Sequence, residues 1–156
     1  MKRVRRAAPA GADEIVIQIA SRARDIPAAG TLRRWARAAL VTPKRATLTL
    51  RVVTLNEARS LNSAYRGKDY ATNVLTFTYG DEPAGGLHGD IVLCAAVVAA
   101  EARKQSKTLA SHYAHLAVHG VLHAQGYDHE RPADARRMEA LEIKLLAKLG
   151  YADPYR

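Results

Sequence analysis

Residues 90–125 run DIVLCAAVVAAEARKQSKTLASHYAHLAVHGVLHAQ, and this stretch decides the fold class. It opens on a short apolar run, 90–95, that reads as a buried strand. Two helical stretches follow it, 96–105 and 108–125. Working outward toward the N-terminus, residues 74–79 read as another short strand, with the Gly/Pro/Asp-rich segment 80–89 as a loop between the two. Alternating Leu48, Leu50 and Val52 predict a strand over 46–54, and Ile15, Ile17 and Ile19 predict one over 14–20. Helical spacing covers 31–41, with Thr31 as N-cap and Pro43 as its stop, and a short helix runs from Glu57 to Tyr65 with Asn56 as its cap. Toward the C-terminus, Pro132 starts and Gly150 stops a last helix over 132–149. About four strands and five helices, with the helices concentrated late in the chain, predict an α+β (mixed α/β) class: one sheet packed with helices. Residues 1–12 read as a flexible basic tail and residues 13–156 as a single domain.

The chain has 156 residues, enough for one ordinary hydrophobic core. A single cysteine, Cys94, excludes an intrachain disulfide framework and a cysteine-rich zinc site, which fits a reducing cytoplasm. No run approaches the roughly 20 apolar residues of a membrane span, and no long apolar segment follows the basic start as a secretory signal would require. The net charge is +9, and residues 1–51 alone hold 12 Lys/Arg against 3 Asp/Glu. The rest of the chain is neutral, so the excess base sits in the N-terminal third. That asymmetry points to a polyanionic partner, nucleic acid first, or else to a solvated basic surface with a tail.

The end of the long helical stretch carries the chemistry. His119 and His123 are four residues apart, and a helix brings such a pair onto one face with Cβ atoms about 5–6 Å apart. Gly126 can take the left-handed conformation that ends a helix, after which His129 can return a third nitrogen. Three protein ligands with an open fourth position is the pattern of a catalytic zinc site. The spacing equals that of the metzincin proteases, yet the glutamate those enzymes need as general base is Gly120 here. His115 and His123 lie about 12 Å apart along a helix axis, so one ion does not reach both; His115 is a neighbour of the site or a packed histidine. His112, a turn further away, is expected to be exposed. His88 precedes Gly89-Asp90 at a strand start and either lines the cleft or is a loop histidine without a role, and Asp128 either orients a ligand or faces solvent. Tyr65-Arg66-Gly67-Lys68-Asp69 taken alone is a polar loop after a helix, but it can supply cations to a phosphate.

These residues form a larger pattern. His119-Gly120-x-Leu122-His123-x-x-Gly126-Tyr127-Asp128-His129 resembles the signature of the YbeY family, bacterial metal-dependent endoribonucleases of rRNA maturation. Leu61-Asn62-x-x-Tyr65-Arg66-Gly67-Lys68-Asp69 with Thr72-Asn73-Val74-Leu75-Thr76-Phe77 is similar to a second block. Gly89-Asp90-Ile91-Val92-Leu93-Cys94 with Val97-Val98 is similar to a third, and Met138-Glu139-x-Leu141-Glu142 matches the closing helix. The resemblance covers about residues 46–150. It implies one zinc ion held by His119, His123 and His129, an essential arginine at Arg66, and a single-strand-directed endoribonuclease of the cytoplasm. It further implies work in 16S rRNA 3′-end maturation and ribosome quality control, with rRNA and the ribosome or its small subunit as partners. Lys68 and Asn73 are weaker candidates for the substrate cleft. The chain departs from the family pattern at Thr76-Phe77-Thr78 and at Ala95-Ala96, which leaves the histidines untouched. Two rivals stand beside this reading: a non-catalytic zinc-containing ribosome-assembly factor and a metzincin-like metalloprotease.

Overall fold

Alternation along a strand sends Leu48, Leu50 and Val52 to one side and Thr47, Thr49 and Arg51 to the other. In the computed structural model, which describes residues 13–42, 45–79 and 86–156, these residues form β2 (Ala46–Val53), an inner strand of one four-stranded sheet. The other strands are β1 (Glu14–Ile19), β3 (Val74–Thr78) and β4 (Leu87–Cys94), in the order β1-β2-β4-β3. β1 and β4 run parallel to β2, and β3 runs antiparallel to β4. Parallel neighbours need crossovers, and the first is α1 (Ala29–Ala38). α2 (Leu55–Arg66) and β3 together make the second, from β2 to β4. Then α3 (Ala95–Lys104), α4 (Leu109–Ala124) and α5 (Pro132–Lys148) follow in succession. The α+β expectation holds: among the described residues there is one mixed sheet with five helices.

Both faces of the sheet are covered. Leu48, Leu50, Val52, Ile91 and Leu93 pack with Leu32, Trp35 and Ala36 of α1, the apolar face of α4, and Met138, Leu145 and Leu146 of α5. On the opposite face, Val53, Leu75, Val92 and Cys94 pack with Ala58 and Leu61 of α2. Burial of this kind stabilises by about 25 cal/mol per Å² of apolar surface, and it fixes α4 firmly over β3 and β4. Gln125, one residue past α4, ties that helix to the end of α1. Its amide donates to the Ala39 carbonyl at 2.6 Å, and its oxygen accepts from the N–H groups of Val41 and Thr42 at 3.0 and 2.9 Å.

Three element starts differ from the sequence reading by two residues or more. α1 begins at Ala29, with Ala28 as its extended N-cap in place of Thr31, because burying Leu32 puts its N–H on the Ala28 carbonyl. α2 begins at Leu55, and Thr54 rather than Asn56 caps it, its hydroxyl accepting from the Glu57 N–H at 3.2 Å. β4 starts at Leu87, since its ladder to β2 already pairs His88 with Thr47 and Gly89 with Leu48. The tail reading of residues 1–12, the stop at Pro43 and most of the 80–89 loop lie outside the described residues. Among the described residues, no helix is long and apolar enough to cross a membrane.

Candidate metal centre

Thr108 starts α4 by accepting the Ser111 N–H on its hydroxyl at 3.2 Å. Gly126 stops the helix with φ at +97°, its N–H on the His123 carbonyl and the Tyr127 N–H on the Leu122 carbonyl. This is the Schellman closure that a glycine at C′ permits. The same turn fixes a ring: His123 Nδ1 lies 2.9 Å from the Tyr127 carbonyl oxygen and can only donate to it. Asp128 then accepts the His129 and Glu130 N–H groups at 2.6 and 3.2 Å, which turns the chain back. The result brings His119, His123 and His129 together, with ring centres 5.6, 6.0 and 6.4 Å apart.

Whether these rings suit a metal depends on which nitrogens are free. His119 Nδ1 stands 2.9 Å from Glu142 Oε1, and His123 Nδ1 is taken by the Tyr127 carbonyl. In the neutral imidazole both rings therefore carry their proton on Nδ1 and keep the Nε2 lone pair. A carboxylate or carbonyl behind the ring is how metal-binding histidines are ordinarily oriented. Three imidazoles on one tetrahedral zinc, each about 2 Å away through nitrogen, have ring centres about 5 Å apart. The observed triangle is wider than that by roughly 1 Å. His129, with its side chain 57% exposed on a loop, has room to shorten its own two sides, while the widest side, between His119 and His123 on α4, shortens only as those two rings turn.

Glu142 is the residue that sequence reasoning did not assign. It sits in the buried stripe Met138, Glu142, Leu145, Leu146 of α5 and has no solvent exposure. Its oxygens accept from His115 Nε2 at 2.6 Å, His119 Nδ1 at 2.9 Å and the Tyr155 hydroxyl at 2.6 Å. Burial pushes the carboxyl upward, but the hydrogen bonds from His115, His119 and Tyr155 outweigh it and hold the group down at about 2. The Tyr155 phenol is raised in turn, first by burial and then by its bond to Glu142. The sequence did hold a signal: one acidic side chain within an apolar helical stripe.

His115 is thus a neighbour of the site that shares its carboxylate. Among the described residues, the group whose ligand atoms already stand within 4.8 Å of one another is His115, His119 and Glu142, which can hold a metal ion. In this structure each of those atoms is engaged in a hydrogen bond to another member, so the cluster reads first as the support behind His119. His112 corrects an expectation. It is 4% exposed, not solvated, because α4 packs there against α3 and Glu101 takes His112 Nε2 at 3.0 Å. His88 lies in β4 and not in a loop.

Gly120 explains its own presence. A Cβ there would meet Ile91 Cγ2 at 2.7 Å and Val74 Cγ2 at 3.3 Å. The position next to the first histidine faces the sheet, so no side chain there can serve as a base.

Arg66 is the last residue of α2. Gly67, at φ +66°, ends the helix, and the following loop is held from two sides. The buried Asn62 amide donates to the Tyr70 carbonyl at 2.8 Å, and Arg59 grips Asp69 through two bonds of 2.8 and 2.9 Å. That fork lowers the Asp69 carboxyl and raises Arg59. With Asp69 engaged, Arg66 and Lys68 are exposed and have no ionic partner among the described residues. Asn73 sits at the start of β3 with its amide spent on Glu101 at 3.0 Å and its oxygen on the Val74 N–H.

The chain is similar to known proteins over most of its length. The family model described as Endoribonuclease YbeY matches residues 18–150. The chain is 57% identical over 134 residues to an Endoribonuclease YbeY of Burkholderia thailandensis, covering 85% of this chain but only 30% of that relative. It is 51% identical over 141 residues to an Endoribonuclease YbeY of Thiobacillus denitrificans, covering 90% of this chain and 95% of the relative. The solution structure of TM1509 from Thermotoga maritima shares the fold, with a TM-score of 0.53 at 22% identity over 90% of this chain and 99% of that one. On the match across residues 18–150 and these identities, the chain belongs to the endoribonuclease YbeY family.

Proposed function

We propose that this protein is a zinc-dependent endoribonuclease that cuts single-stranded RNA, acting in the cytoplasm on the 3′ end of 16S rRNA and in ribosome quality control. The observation that carries the metal assignment is the committed Nδ1 atoms of His119 and His123, which leave two Nε2 lone pairs beside His129. His119, His123 and His129 hold the ion. Zinc bound there supplies Lewis acidity, polarising a phosphoryl oxygen and acidifying a water molecule. Glu142 keeps the proton on His119 Nδ1, and the Tyr127 carbonyl keeps it on His123 Nδ1. Arg66 binds the scissile phosphate and neutralises the charge that grows on its oxygens, with Lys68 beside it. Asn73, tied to Glu101 at the start of β3, helps shape the substrate cleft. The basic N-terminal third draws the RNA in, so affinity falls as salt rises.

The test is cleavage of a single-stranded RNA by wild type, His123→Ala and Arg66→Ala, with zinc content measured alongside. Activity is expected to vanish in both variants while Arg66→Ala still holds zinc. Undiminished cleavage by both would refute the assignment. A second reading, a ribosome-assembly factor with a structural metal, draws on the His115, His119 and Glu142 cluster. It predicts that His115→Ala loses the metal and His123→Ala keeps it. The protease reading fails on Gly120, whose position is filled by Ile91 and Val74.

A further inference from the structure

Large apolar side chains exposed on a folded surface are ordinary one at a time. Three tyrosines in a short stretch are not: Tyr65, Tyr70 and Tyr79 are 70, 55 and 56% exposed. One of them is also held in place. The Tyr65 ring meets the half-buried Phe77 ring edge-to-face, with centres 5.3 Å apart and planes at 65°. Phe77 belongs to β3, an edge strand, and its neighbour Thr76 turns to the opposite face, where its hydroxyl reaches the Gly120 carbonyl beside His119. One edge strand therefore carries the aromatic pair on one face and borders the metal-bearing helix on the other. Tyr79, two residues beyond Phe77, shares the aromatic face and is anchored through its hydroxyl to Asp90. Next to Tyr65 stand Arg66 and Lys68, exposed cations without ionic partners among the described residues.

We infer that the Tyr65–Phe77 pair is a stacking subsite for one nucleobase of single-stranded RNA, next to the phosphate held by Arg66. This rests on the proposed function and adds to it what the site grips besides phosphate. An aromatic ring offers any base a π-face, and adjacent cations hold the backbone. The ring is pre-set by its contact with Phe77, so little rotamer freedom is lost on binding. The subsite requires an unpaired base and so disfavours a duplex, whose bases are stacked on each other.

The experiment measures dissociation constants by fluorescence anisotropy for a labelled oligoadenylate with wild type, Tyr65→Phe, Tyr65→Ala and Arg66→Ala. It repeats them with an abasic oligonucleotide and with a blunt RNA duplex. Tyr65→Ala should weaken oligoadenylate binding about 5- to 150-fold, the range for one stacked base. Tyr65→Phe should bind like wild type, and the abasic strand should be insensitive to Tyr65→Ala. Arg66→Ala should weaken all strands and flatten the salt dependence. Equal binding of oligoadenylate by wild type and Tyr65→Ala would overturn the subsite and leave the endoribonuclease reading standing. Equal loss on the abasic strand would mean that Tyr65 serves the fold and not a base. No binding of any strand by wild type would overturn both readings.

Discussion

Gly120→Ala tests the joint between fold and site. The added Cβ would stand 2.7 Å from Ile91 Cγ2, 3.3 Å from Val74 Cγ2 and 3.4 Å from Ile91 Cγ1. Carbon atoms rest about 3.5–4.0 Å apart, so the helix or the strand must give by about 1 Å. Ile91 cannot turn aside easily. It is fully buried, β-branched, and pairs with Leu50 on one side and Thr76 on the other. Overpacking of this kind costs about 1–3 kcal/mol. Replacing glycine by alanine within a helix returns about 1 kcal/mol. The expected net loss is therefore about 0–2 kcal/mol, read from urea denaturation with an unchanged slope. Metal binding should suffer as well, because a ligand set tolerates only about 0.5 Å of displacement and His119 is the adjacent residue. A zinc competition titration should show affinity falling about tenfold or more. A double-mutant cycle isolates the contact: in an Ile91→Ala background, Gly120→Ala should be neutral or stabilising. A Gly120→Ala protein about 1 kcal/mol more stable than wild type, with full zinc affinity, would refute the close approach of α4 to β4.

Glu142→Gln should lower zinc affinity about 10- to 100-fold with the fold intact by circular dichroism, since an amide supplies one acceptor oxygen where the carboxylate supplies two; unchanged affinity would sink the support role. Tyr113, 1% exposed, has its phenol pushed up to about 12, first by burial and then by Cys94. Between pH 10 and 12 the unfolded chain loses this proton and the folded chain keeps it, so stability is full below 10 and falls as pH rises, by about 2–3 kcal/mol at the upper end. Tyr113→Phe should flatten that decline in urea midpoints taken at pH 8, 10 and 11.5, and an identical decline in both proteins would contradict the assignment. Gln125→Ala removes the side chain that joins α4 to the end of α1, leaving the Ala39 carbonyl and the Val41 and Thr42 N–H groups without it. It should cost about 1–3 kcal/mol in the urea midpoint.

The parts of the molecule that were legible beforehand share one property: their signal is local and periodic. Leu48, Leu50 and Val52 announce a strand with two faces, and His119, His123 and Gly126 announce a helix end. The histidine spacing needs no tertiary knowledge, because 3.6 residues per turn and a left-handed glycine already bring the rings together. Where local signals competed, pairing and burial chose. Thr54 took the cap from Asn56, and β4 ran three residues further back than its apolar run. His112 looked solvated because nothing near it in sequence reveals Glu101 of α3. The histidine itself gives no sign that another helix covers it.

The sequence by itself determined the fold class, the order of elements and the helix end at which His119, His123 and His129 gather, because each is encoded in spacing along one segment. Only the tertiary structure decided what stands behind and around them. Glu142 reaches His119 from 23 residues away, and Tyr155 reaches Glu142 from another segment again. Gly120 is required by Ile91 and Val74 of neighbouring strands, and Tyr65 meets a second ring only because β3 brings Phe77 edge-to-face with it. Hydrogen bonds and close contacts between distant segments depend on how α4, α5 and the sheet pack together, and packing is set by the whole core rather than by any stretch of the chain.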